Sequence, residues 1–231
     1  MDLFYEIFAM PARAFRRIKD NPSWTVPIVG AIILILGIVV LTIFFKMSVY
    51  EYAMMETLHH EAAKLGIGVD QVVQELIGTQ DPSTLFMFTL GEFTTDMTNA
   101  FTYSLLGILL PFVFFHFILV NETRLLSASL AVVIWSKFPL LVGALLKIPA
   151  GVLLKKPYMS FSLAMFLPAD SRFSVGLATI DIFSIWTLVL LALGFSTIVE
   201  NPRKKTLAWA LVFGLWGAWF IVSLVKGLVF G

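Results

Sequence analysis

The chain has 231 residues, 59% of them hydrophobic and 13% charged, with mean hydropathy +0.92 and a formal net charge of +1. A soluble domain carries about 25% charged residues, and here the apolar residues also fall in runs too long for a soluble core, so the class that fits is a polytopic membrane protein. Near-neutral charge gives no support for a nucleic-acid partner, and the absence of cysteine excludes disulfides, thiolate ligands and a cysteine nucleophile.

Residues 2–19 are too short and too charged to span. Leu3, Phe4, Ile7, Phe8, Phe15 and Ile18 recur at helical spacing, with Arg13, Arg16, Arg17 and Lys19 on the other side. This predicts an amphipathic helix lying in the membrane interface, broken by Pro11. Asn21 and Pro22 then read as N-cap and first residue of a helix. The first span covers 24–45, with Gly30 and Gly37 seven residues apart on one face.

Residues 46–98 form the polar region, with Glu51, Glu56, Glu61, Asp70, Glu75, Asp81, Glu92 and Asp96 against Lys46 and Lys64. The pattern predicts an extracytoplasmic loop with two short amphipathic helices. One covers Val49 to Leu65 and ends at Gly66; the other covers Asp70 to Ile77 and is capped by Asp70. Spans two and three follow at 99–120, interrupted by Pro111, and at 125–146, containing Lys137 and Pro139. Region 147–178 carries a ten-residue apolar stretch, Tyr158 to Leu167, bounded by Pro157 and Pro168, which suits a re-entrant or interfacial segment.

The last two runs, 179–199 and 206–229, each reach the roughly 20 apolar residues that cross a bilayer. Only a short basic hinge ending in Arg203, Lys204 and Lys205 joins them, so they form a hairpin. Adjacent cations resist translocation, which puts the hinge in the cytoplasm. The fold class is therefore all-α, a polytopic membrane helical bundle of five transmembrane helices with amphipathic interfacial segments. Its N-terminus is cytoplasmic, its C-terminus extracytoplasmic, and its home a plasma or inner membrane.

Ionisable residues inside spans are expensive and count as functional candidates. His116, Lys137 and Asp181 qualify, and Lys137 with Asp181 could form an ion pair if spans three and four touch. The plainer reading of His116 is a histidine satisfied by a neighbour's backbone. Glu56 and His60 stand four apart, as zinc ligands on a helix often do, but no third ligand follows at diagnostic spacing, so no metal or cofactor is expected. In span five, Ala210, Gly214 and Ala218 make a small-residue stripe, read as packing against span four in preference to a second copy. The chain has no Gly-rich phosphate loop, Gly-x-Ser-x-Gly elbow or His-Glu-x-x-His motif, and no enzymatic activity is expected.

The stretch Ile180 to Leu190 (IDIFSIWTLVL), with Leu193-Gly194-Phe195-Ser196, resembles the fourth span of the Yip (Ypt/Rab-interacting-protein) domain family, in its bacterial branch. Pro11 and Phe15, Pro22 and Pro27, and the Tyr158–Pro168 segment fit the same layout. The resemblance implies five spans and a cytoplasmic N-terminus. Eukaryotic members act in vesicle traffic and bind prenylated Rab GTPases. This chain lacks their long N-terminal region and Asp-Leu-Tyr-Gly-Pro-type motif, so a prokaryotic plasma membrane is implied instead. The expected function is a membrane-organising or partner-binding one. Its partners would be the lipid bilayer, other proteins or a second copy, and a lipid ligand. The alternative is a transporter or lipid-handling protein that uses the polar residues of the bundle.

Overall fold

The computed structural model describes residues 3–68, 71, 82–153, 161–167 and 171–230. These residues are helical apart from turns, and their one β-type pairing is an isolated antiparallel bridge between Ser162 and Asp181. Helices α1 (Leu3–Ala9) and α2 (Pro11–Asp20) are separated at Met10. Pro11 cannot donate a backbone hydrogen bond to α1, but its fixed φ suits the first position of a new helix.

The apolar side of α2 does not lie in lipid, as its amphipathic pattern suggests. Ala14, Phe15 and Ile18 are buried in the protein core, with α2 packed along α5 (Leu126–Ser136) and α7 (Ile182–Ile198). Gly194 makes this possible, because a Cβ there would stand 2.5 Å from Val132 and 3.3 Å from the Phe15 ring. Packing neighbours are available to α2 because the chain turns sharply after it. Asn21 closes α2, its N–H donating to the Arg17 carbonyl at 3.1 Å. The next helix therefore begins at Thr25, later than Pro22.

That helix, α3 (Thr25–Leu65), is 41 residues long. The separate helix expected over Val49 to Leu65 is its continuation, because neither glycine nor proline occurs between Gly37 and Gly66. Gly66 stops it in the left-handed conformation (φ 65°), which glycine adopts without steric cost. The expected helix over Asp70 to Ile77 lies outside the described residues. Helix α4 (Pro82–Phe115) then runs straight through Pro111, so residues 82–98 are helix and not loop. It closes with a π turn, His116–Val120, ended by Asn121 at φ 53° with its N–H on the His116 carbonyl at 2.7 Å.

Span three is two helices, α5 and α6 (Phe138–Leu153), broken at Lys137. Pro139 lacks an N–H and disfavours helical geometry at the residue before it. The N–H groups of Lys137 and Leu140 accordingly reach only three residues back, to Ile134 and Lys137 carbonyls at 3.1 and 3.0 Å. The segment expected to be re-entrant contains a short 3-10 turn, Leu163–Phe166, and a single helical turn, Ser174–Leu177. Residues 154–160 and 168–170 of that segment lie outside the described residues. α7 and α8 (Pro202–Phe230) complete the chain as a tight hairpin.

By length and composition, Phe101–Val120, Thr123–Lys147 and Pro202–Val229 can each cross a membrane, and Thr25–Leu41 and Ile182–Ile198 are shorter apolar helices. The middle helix pair is the hub of the bundle: 56% of the Thr123–Lys147 window is buried, against 17% for Pro202–Val229. α5 packs on α2, α3, α4 and α7, while α8 lies outside against α7 and the Ser174–Leu177 turn. Gly30 and Gly37 bring α3 close to this hub, since a Cβ at either would press on Ile134 or Leu141. Outward faces carry Leu36, Leu110, Trp219 and Val229, all exposed, the arrangement expected of a bundle solvated by lipid.

Candidate functional site

One end of the bundle gathers three chain segments: α2, the turn at 121–125, and the α7–α8 hinge. Lys19 Nζ donates to Glu200 Oε1 at 3.2 Å, tying α2 to the hinge. Arg124 donates to Glu122 Oε2 at 2.7 Å. Arg17 stands 3.5 Å from Glu6. Arg13, Arg16, Arg203 and Lys205 are exposed around these pairs. Because Phe15 and Ile18 are locked in the core, the cations of α2 project from a fixed platform. A cavity of about 490 Å³ opens here, with Arg16, Lys19, Asp20, Glu200 and Lys205 among its lining residues.

The opposite end is built around Asp181. Its Oδ1 accepts the N–H groups of Phe183 and Ser184 at 2.9 and 3.3 Å, capping α7. Its Oδ2 accepts from Lys147 Nζ at 2.6 Å. Asp181 is 4% exposed, so cap and ion pair together satisfy a carboxylate in an apolar setting. The Leu163 N–H bonds the Ile180 carbonyl at 3.1 Å, and the Phe161 ring meets Phe183 edge-on at 5.9 Å. Gly143 lets α6 approach, since a Cβ there would be 2.6 Å from the Phe183 ring.

The pairing of Asp181 with Lys137 is thus replaced by one with Lys147. Lys137 and Lys147 are ten residues apart in sequence, which is about 15 Å along a helix. Asp181 opens span four at the end of the bundle where span three finishes, so the cation at that end reaches it and the mid-span one does not. Lys137 sits at the α5–α6 break, where the neighbouring rings of Trp135 and Phe138 stack at 4.5 Å. His116 is 2% exposed, with its Nδ1 2.9 Å from Ser129 Oγ, and its ring stacks on Phe112 at 5.7 Å. The tautomer of the imidazole decides which of the two atoms donates. Ser129 was not singled out by sequence, although three serines (Ser127, Ser129, Ser136) on one apolar helix were a signal of buried hydroxyl partners.

The stripe Ala210, Gly214 and Ala218 does not face α7. All three residues are exposed, and a Cβ at Gly214 would meet nothing within 4 Å. Contact with the rest of the bundle runs instead through Ala208 and Val212, at 0% and 2% exposure, and through Gly227 against the Arg172 carbonyl. Small residues do mark the interface, but the periodic set chosen lies on the neighbouring face of the helix. Among the described residues no group of three or more His, Cys, Asp or Glu converges on a point that could hold a metal. The side chains of Glu56 and His60 lie outside that set.

Comparison with known proteins fits this architecture. The membrane protein YknW of Bacillus subtilis (strain 168) is 34% identical over 106 residues, which cover 46% of this chain and 44% of YknW. The match thus spans less than half of that relative's length. No solved structure matches the chain. The family model of the Yip1 domain matches residues 5–227, and with a helical membrane bundle behind that match, the chain belongs to the Yip1 domain family of membrane proteins.

Proposed function

We propose that the protein is a non-enzymatic organiser of the membrane or of partner proteins, acting through the basic end of its bundle in the cytoplasm. The observation that carries this reading is the anchoring of α2. Phe15 is buried against Gly194 and Ile18 is buried in the same core, so Arg13, Arg16 and Arg17 are presented at fixed positions next to the hinge cations. Fixed cations lose less entropy when they meet an anionic surface than cations on a free tail do. Clustered cations flanking spans also favour the cytoplasmic side and anionic lipid. Affinity purification from native membranes tests the reading. The wild-type chain should recover a defined set of proteins, and Arg13→Gln with Arg203→Gln should lose them at unchanged expression. Identical recovery from both would overturn it.

A second reading, handling of a solute or lipid through the bundle, draws on the helix break at Lys137. Broken helices at mid-membrane depth line binding sites in transporters. Solute flux in proteoliposomes that Lys137→Met abolishes would favour this reading over the first.

A further inference from the structure

The cavity at the basic end is not uniformly basic. Arg16, Lys19 and Lys205 line it together with the carboxylates Asp20 and Glu200. Lys19 and Glu200 pair with each other at 3.2 Å, which leaves two cations and one carboxylate, Asp20, to face an occupant. Ser196 and Thr197 also line it, and both hydroxyls donate to the Leu193 carbonyl, at 2.9 and 2.7 Å. Their protons are therefore committed, and they offer the cavity only acceptor lone pairs. The cavity also lies between the C-terminal end of α7 and the N-terminal end of α8. The first is the negative pole of a helix dipole and the second the positive pole. α8 carries no acid in its first turn but holds Arg203, Lys204 and Lys205 there, charges its own dipole does not favour.

A simple anion satisfies only half of this arrangement, because Asp20 and the acceptor hydroxyls oppose it. We propose that the cavity binds a phosphoethanolamine headgroup, the zwitterionic end of a phospholipid. Its phosphate faces Arg16, Lys205 and the start of α8, where a guanidinium can hold two oxygens at once. Its primary ammonium faces Asp20, Ser196, Thr197 and the end of α7, and donates hydrogen bonds to them. A quaternary choline ammonium has no N–H to donate and is held instead by aromatic cages; no aromatic residue lines this cavity. The volume of about 490 Å³ falls within the range of roughly 300–1,000 Å³ typical of small-ligand sites. The depth fits as well, since the apolar run of α7 ends at Val199 beside the cavity, where headgroups begin. The assignment deepens the proposed use of the basic end by naming the lipid it selects.

Native mass spectrometry of the detergent-purified full chain tests this, with phosphatidylethanolamine, phosphatidylglycerol and phosphatidylcholine of identical acyl chains. Phosphatidylethanolamine should be retained in preference to both others. Asp20→Asn should cut its preference over phosphatidylglycerol by roughly tenfold, and Arg16→Gln with Lys205→Gln should weaken retention of both lipids by a similar factor, about the effect of one charge-assisted hydrogen bond. Arg172→Gln, at the opposite end, should leave the preference unchanged. Equal retention of phosphatidylcholine, or a preference unmoved by Asp20→Asn, overturns the proposal. Binding of soluble phosphoethanolamine without retention of the intact lipid overturns the lipid source. Either failure leaves the partner-recovery experiment above to be decided separately, because Arg13 and Arg203 do not line this cavity.

Discussion

The two ends of the bundle use charge in opposite ways. At the Asp181 end, opposite charges meet at 2.6 Å with the carboxylate almost fully buried, and the same carboxylate caps a helix. At the basic end, each pair keeps at least one exposed member, several cations have their heads in the open, and the deepest burial is that of the apolar anchor that holds them. The difference follows from dielectric: a charge removed from water must be fully paired, whereas a solvated one contributes little to stability and stays available to partners. Structure depends on charge at one end. Recognition is what charge can serve at the other.

Substitutions that remove one member of each arrangement should separate the two ends. The largest effect is expected for Asp181→Ala, which strips α7 of its cap and leaves Lys147 unpaired. A loss of about 3–5 kcal/mol is expected from breaking such a pair, read as a fall in thermal midpoint in detergent. Asp181→Asn should be milder, because asparagine still caps. Gly194→Ala comes next, since its methyl would press on Val132 and Phe15. Overpacking of this kind costs about 1–3 kcal/mol, and its specific sign should be faster proteolysis within α2 while the Asp181 end stays protected. Ser129→Ala removes the polar partner of buried His116 and should cost about 1–2 kcal/mol, visible in the same melting measurement. Lys19→Gln breaks an exposed pair and should change stability by less than about 1 kcal/mol, with the difference vanishing in high salt. A Lys19→Gln variant as unstable as Asp181→Ala would erase the contrast between the ends.

The sequence makes the broad architecture readable because membrane constraints are strong. Apolar runs, the break at Pro11, the stop at Gly66 and the close approach at Gly30 and Gly37 each depend on one local rule. Contacts between helices were less readable. Asp181 stands out in the sequence as an acid inside a span in need of a cation, and Lys137 is the partner its pattern offers; Lys147, at the end of span three, is singled out only by height in the bundle. The stripe on α8 shows the same weakness, because small residues occur on two faces of that helix and only packing selects Ala208 over Ala210. The anchoring of α2 was hidden for another reason. An amphipathic helix looks alike whether its apolar side meets lipid or protein, and only Gly194, 180 residues beyond Ala14, distinguishes the two. The mixed lining of the basic cavity is assembled from three segments far apart in the chain, so no local pattern announces it.

The unbroken length of α3 has a consequence for reach. Its 41 residues rise about 60 Å, roughly twice the 30 Å of a hydrocarbon core. A helix of that length exceeds a single perpendicular crossing, and its apolar part is Thr25–Leu41. α4, at 34 residues, is also longer than a crossing needs. The two helices pack together, and Glu51, Glu56 and Glu61 fall beyond the apolar part of α3. The α3–α4 pair is therefore a helical projection longer than a bilayer crossing needs, with three acids against the two bases Lys46 and Lys64 along residues 46–65 of α3.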